Sequence, residues 1–219
     1  MMIRNLSILF LLIIGNFSLL GQIQKVEDFI PTGYVLFEQI TGDLNKDNQE
    51  DCILVVKRVN RDSIVLNRLN ELVDRNRRGI IILLKNQSGY QLVAESLTCF
   101  SSENEDGGVY IPPELVISVQ RGNLLIHYAH GKYGFWRYTF RYQDADFKLI
   151  GYDESNGSVI INSTLSINFL TRMKLIRENI NENAQRGKEV FREFWSSVDI
   201  NGLISLTDIK DFDDVDMAY

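Results

Sequence analysis

The sequence predicts a mainly β protein built from antiparallel meander sheets, and three observations predict it. Short apolar runs of strand length recur along the chain, at 34–40, 52–57, 80–85, 90–95, 115–120, 124–129, 135–142, 147–152, 165–170 and 174–180. Turn-forming residues stand between them, among them Asn86-Gln87-Ser88-Gly89, Arg121-Gly122-Asn123 and Asp144-Ala145-Asp146. Helical spacing of apolar residues is confined to two stretches.

The elements follow in order. A blade-like first half spans 34–99, with one strand before the polar stretch 42–51 and Cys52-Ile53-Leu54-Val55-Val56 directly after it. Within the following insertion Ile64, Val65, Leu69, Leu72 and Val73 approach a 3.6-residue period, which suggests a short helix at 62–76. Gly79 to Leu84, the Asn86–Gly89 turn and the run at 90–95 then read as a hairpin. A second meander covers 114–180, with turns at 121–123, 130–134 and 144–146. Val190, Phe191, Phe194, Trp195 and Val198 recur at i, i+1, i+4, i+5 and i+8, the pattern of an amphipathic helix at 183–198 packed on the sheet. These parts form one domain at 22–207. Asp208, Asp211, Asp213, Asp214 and Asp216 then read as a mobile acidic tail at 208–219.

The most specific chemical signal is the loop 43–51. Asp43, Asn45, Asp47 and Asp51 set oxygen-bearing side chains at positions 1, 3, 5 and 9, and the Gln49 carbonyl completes a five-ligand set. Calcium takes six to eight oxygens, and alternating carboxylates and amides on a tight turn gather them. The expected cofactor is therefore Ca2+. An EF-hand would need glycine at position 6 and glutamate at position 12, where this chain has Asn48 and Leu54. Asn48 is able to take the left-handed conformation that glycine usually supplies.

A loop of this type running into an apolar strand resembles the FG-GAP and VCBS repeats of integrin-like propellers. The likeness covers about residues 40–95, where Gly79-Ile80-Ile81-Ile82-Leu83-Leu84 and Asn86-Gln87-Ser88-Gly89-Tyr90 resemble the later strand and turn of such a repeat. Asn48 in place of glycine and the insertion at 57–78 depart from the pattern. One unit does not make a propeller, which needs about four blades. The whole chain also resembles small uncharacterised exported proteins of Bacteroidota, through its leader ending in Gly21-Gln22 and the stretch from Phe140-Arg141-Tyr142 to Leu149-Ile150-Gly151-Tyr152. That likeness implies no particular activity.

Residues 1–21 carry Arg4 and the apolar run Ile8-Leu9-Phe10-Leu11-Leu12-Ile13-Ile14, then smaller and polar residues, which is a secretory signal pattern. The apolar run is shorter than the roughly 20 residues of a membrane span. Export to a periplasmic or secreted location follows, with no stable membrane insertion once the leader is cut. A net charge of −6 argues against nucleic acid as a partner. Cys52 and Cys99 are the complete cysteine set, so an exported chain admits one disulfide between them or two buried thiols.

Strict alternation along 135–142 places Trp136, Tyr138, Phe140 and Tyr142 on one face. With Tyr128 beside them, Trp136 and Tyr138 form either a ligand platform for sugar rings or the sheet's core face, and exposure separates the two. His127 and His130 are three apart on extended chain and point to opposite faces, which disfavours shared zinc. Nucleophile-elbow, HExxH, P-loop and Rossmann patterns do not occur.

The function these residues point to is an exported, calcium-binding, mostly-β interaction protein with a protein or glycan ligand. The competing reading is an envelope glycan hydrolase using Glu103, Glu105 or Asp106 opposite the aromatic strand. An inhibitor or immunity-like partner of another envelope protein is a third.

Overall fold

The computed structural model describes residues 25–105, 114–157 and 159–217. The expected leader at 1–21 and Asp106 lie outside the described residues. Two antiparallel sheets face each other. The first joins β1 (Tyr34–Gly42), β2 (Asp51–Arg58), β5 (Arg78–Asn86) and β6 (Gly89–Phe100) in the order β1-β2-β5-β6. The connection from β2 to β5 holds a small hairpin of β3 (Ile64–Leu66) and β4 (Leu72–Asp74).

The second sheet is a pure meander of seven strands in chain order: β7 (Glu114–Gln120), β8 (Asn123–Ala129), β9 (Gly134–Gln143), β10 (Asp146–Asn156), β11 (Ser163–Asn168), β12 (Met173–Asn179) and β13 (Phe191–Ser197). The expected mainly β, antiparallel class is what the chain adopts. Tight turns set the registers: Asp144 and Ala145 both take positive φ between the paired Gln143 and Asp146, the geometry whose twist matches the flanking strands.

The unbroken apolar runs of β2 and β5 have a simple cause, since both faces of these central strands are covered. Ile53, Val55, Ile80 and Ile82 face the second sheet in the main core. Cys52, Leu54, Val56, Ile81 and Leu83 form a separate cluster on the other side, beneath Val26, Phe29 and Ile30. In the second sheet the alternating strands send Ile126, Tyr128, Tyr138, Phe140, Leu149 and Ile167 inward.

Residues 206–217 correct the reading of a mobile tail. Leu206, Ile209, Phe212 and Met217 are buried between the aspartates. The Phe212 ring stacks on Phe100 of β6 at 5.2 Å and meets Tyr138 of β9 edge-on at 4.9 Å, so one side chain bridges the sheets. Its amide donates to the Cys99 carbonyl and its carbonyl accepts the Tyr138 hydroxyl, each at 3.0 Å. Arg77 secures the same segment through Asp211 at 2.7 Å.

Both expected helices are strands. At 62–76 the Asn67 side-chain oxygen accepts the amides of Leu69 and Glu71, at 2.8 and 2.9 Å, which closes a hairpin turn in place of a helical one. At 183–198, Asn179 accepts the amides of Asn181 and Val190 and turns the chain back along β12. Phe194 then pairs with Ile176 and Trp195 with Leu175. The open edge of β12 offers hydrogen bonds to the whole segment, and aromatic residues suit a pleated surface. Periodicity lost to a tertiary opportunity.

The disulfide does not form. Cys52 sits in the outer cluster and Cys99 in the main core, on opposite faces of one sheet, and both are free and buried. Among the described residues no helix is long and apolar enough to cross a membrane.

Candidate functional site

The loop between β1 and β2 gathers part of the expected ligand set. Asp43 accepts the amides of Asp47 and Asn48 at 3.1 and 3.0 Å, Asn45 accepts that of Asp47 at 3.0 Å, and Asp47 accepts that of Gln49 at 2.8 Å. Lys46 and Asn48 both have φ of 65°, so Asn48 does take the conformation glycine usually supplies. The Asn45 and Gln49 side-chain amides also donate to Asp47. These bonds, the one from Asn45 foremost, hold its carboxyl below the usual range.

Asp51 is separate in direction and role. It is fully buried, and its two oxygens accept the Leu44 amide at 2.7 Å and the Lys85 amide at 2.9 Å, tying the loop to the β5–β6 hairpin. Burial raises its pKa, opposed by those amides and reinforced by Asp47. Among the described residues no basic side chain pairs with Asp43, Asp47 or Asp51. No group of three or more His, Cys, Asp or Glu side chains among them converges as a metal cage.

The acidic loop after β6 is committed elsewhere. Glu103 pairs with Lys57, which also meets Asp74 at 2.8 Å, and Glu105 accepts the Ser102 hydroxyl at 2.7 Å. Burial works against the charge of Asp74, yet the Lys57 and Asn76 bonds outweigh it and lower its pKa. Lys57 and Arg78 lie under the Phe37 ring, at 6.0 and 5.2 Å.

The aromatic strand is the core face and not an open platform. Tyr128 is 0% and Tyr138 3% exposed, so neither offers a ring to solvent. Trp136 differs: half-buried, it lies between His130 at 3.6 Å and Tyr128 at 5.6 Å between ring centroids. It also lines a crevice of about 300 Å³ with His130, Tyr133, Phe135 and Glu154. A second crevice of about 310 Å³, lined by His127, Phe135 and Ile161 among others, opens beside it. The two histidines thus line different crevices. Burial lowers the pKa of each, so both rings are neutral at pH 7.

Two glycines build this end of the sheet. A Cβ on Gly134 would lie 1.8 Å from the Ser155 carbonyl oxygen, and one on Gly157 2.2 Å from that of Ile160. Both have positive φ, and the Gly157 amide donates to the Tyr133 carbonyl at 3.0 Å. In the sequence the glycines near His130 read only as turn signals, and Glu154, Asn156 and Gly157 carry no chemical pattern of their own. Asn156-Gly157, a turn pair after a strand, was the available sign.

The loop and the crevices do not share a pocket. Gly42, paired with Asp51, abuts Val119 at one end of β7, whereas Trp136 pairs with Tyr128, which in turn pairs with Leu115 at the other. Four residues of extended strand, roughly 13 Å, separate the two ends. No family model, no curated protein and no solved structure matches the chain.

Proposed function

We propose that the protein is an exported binding module, without catalytic chemistry, whose β1–β2 loop takes a structural calcium ion through Asp43, Asn45, Asp47 and the Gln49 carbonyl. The observation that supports it most directly is the charge left without a counter-cation. Asp51 is buried with no basic partner, beside a turn that carries Asp43 and Asp47. Buried or clustered carboxylates are costly unless a cation or good hydrogen bonds compensate them. Both Asp43 oxygens and Asp47 Oδ1 each accept one amide and keep a further lone pair, whereas Asp47 Oδ2 already takes the Asn45 and Gln49 side-chain amides, so three carboxylate oxygens of the turn are left for an ion. In this role Asp51 anchors the loop electrostatically and holds its exit, and direct ligation falls to the other four groups. Export rests on the leader pattern at 1–21.

Calorimetric titration of CaCl2 into chelator-stripped protein tests the reading. Extracellular calcium modules bind with dissociation constants of about 10⁻⁴ to 10⁻³ M. About 10 mM calcium would then stabilise the fold by about 1.4 to 2.7 kcal/mol and raise Tm by about 3 to 10 °C for a chain of this size. Asp43→Ala and Asp47→Ala remove both the heat and the Tm increment. A wild-type protein that gives no heat and the same Tm in EGTA and in calcium overturns it.

A further inference from the structure

We propose that the end of the seven-stranded sheet around Phe135 binds a neutral saccharide. This names the ligand class for the binding module proposed above and rests on that reading, though not on calcium. Two crevices flank Phe135, each of about 300 Å³, at the lower end of the range found for small-molecule sites. A third, of about 610 Å³, opens from the same Gly157 past Asn162, Asn179, Asn181 and Glu182. The His127 crevice and the larger one adjoin through Gly157 and suit successive sugar units, while the Trp136 crevice, on the other face of β9, suits a single ring.

The chemistry of the walls selects the class. Phe135, Trp136 and the 40% exposed Tyr133 supply aromatic surface for the C–H face of a pyranose. Glu154 and Asn156 beside them accept and donate hydrogen bonds to hydroxyls, and the Glu154 carboxylate already takes the Tyr152 hydroxyl at 3.0 Å. The Trp136 indole N–H is itself buried and has no partner, so at this crevice the residue contributes ring surface and not a donor. The imidazole of His127, lining the other crevice, adds hydrogen-bonding capacity, and the His130 ring packs on Trp136 at 3.6 Å. None of the three crevices has Lys or Arg among its described lining residues, and two of them carry a carboxylate. Phosphorylated, sulfated or uronic ligands would meet repulsion from Glu154 and Glu182 there. Sugar hydroxyls and C–H faces meet no such penalty. The backbone crossing at Gly134 and Gly157 holds the walls in place, so little ordering is needed on binding.

Trp136 serves as the reporter. The chain has two tryptophans, and Trp195 is 62% exposed on β13, so Trp195→Phe leaves Trp136 as the sole indole. This full-length variant is titrated with chitotetraose, cellotetraose, xylotetraose and mannotetraose to about 10 mM, ten times a millimolar dissociation constant. Tetragalacturonate and choline are the charged controls, and every arm is repeated in EGTA. The expected result is a saturable change in Trp136 emission with at least one neutral tetrasaccharide. Tyr133→Ala and Asn156→Ala weaken it ten-fold or more at unchanged Tm. Persistence in EGTA separates this site from the loop, since saccharide binding without a calcium response sinks only the metal reading. The inference is overturned if no neutral tetrasaccharide moves the emission, if tetragalacturonate or choline binds more tightly, or if both variants bind like the parent.

Discussion

Asp51→Asn isolates the anchor of the β1–β2 loop. In the wild type one oxygen accepts the Leu44 amide at 2.7 Å and the other the Lys85 amide at 2.9 Å, within a fully buried site. Asparagine keeps one acceptor oxygen and turns an NH2 group toward the second amide. One bond to a charged acceptor is lost, worth about 1.5 to 3 kcal/mol, and a buried donor is left unsatisfied at about 1 to 3 kcal/mol. Removing a buried carboxylate charge offsets part of this, since burial already raises the Asp51 pKa. The net expectation is a loss of about 2 to 4 kcal/mol, a large share of the roughly 5 to 15 kcal/mol of a folded domain. Urea unfolding in EGTA, which removes any metal contribution, reads it as a midpoint lower by about 1 M. Glu50→Gln, at the exposed neighbouring position of the same loop, is the control and leaves the midpoint in place. A loss below about 0.5 kcal/mol for Asp51→Asn, within the usual range for surface changes, would refute the anchoring role.

The remaining expectations concern the core, the thiols and pH. Phe212→Ala removes the ring that bridges Phe100 and Tyr138 and should cost about 3 to 5 kcal/mol, whereas Asp214→Ala on the exposed side of the same segment should be silent; equal urea midpoints would return residues 208–217 to the status of a loose tail. Burial pushes the Cys52 thiol up to about 11 and the Cys99 thiol up to about 12, so both should resist a thiol reagent in the native state and Tm should be the same with and without reductant; a reductant-dependent Tm would contradict their placement on opposite faces. The Asp74 pKa is lowered in the fold, so its contribution is present above the unfolded value near 4 and is lost as pH falls through the lower folded value. Asp74→Asn should therefore flatten the acid limb of the stability profile below about pH 4 while Lys57 loses its partner at 2.8 Å. An unchanged acid limb would show that the pair adds nothing.

The sequence by itself determined the mainly β class, because β2 and β5 are apolar over their whole length and β8 to β10 alternate between tight turns. Those patterns are local and have one good solution. It also marked the loop 43–51 and the left-handed Asn48, since turn chemistry is written in neighbouring residues. What tertiary structure alone decided was which edges were open and which faces were covered. The spacing of Val190, Phe191, Phe194 and Trp195 fits a helix until β12 presents an unpaired edge. The acidic run after residue 208 reads as solvated until Phe212 finds the gap between Phe100 and Tyr138. Cys52 and Cys99 satisfy a pairing rule in sequence, but alternate side chains leave opposite faces of a sheet. The crevices beside Trp136 exist because Gly134 and Gly157 let distant backbones touch, a contact that no spacing along the chain encodes.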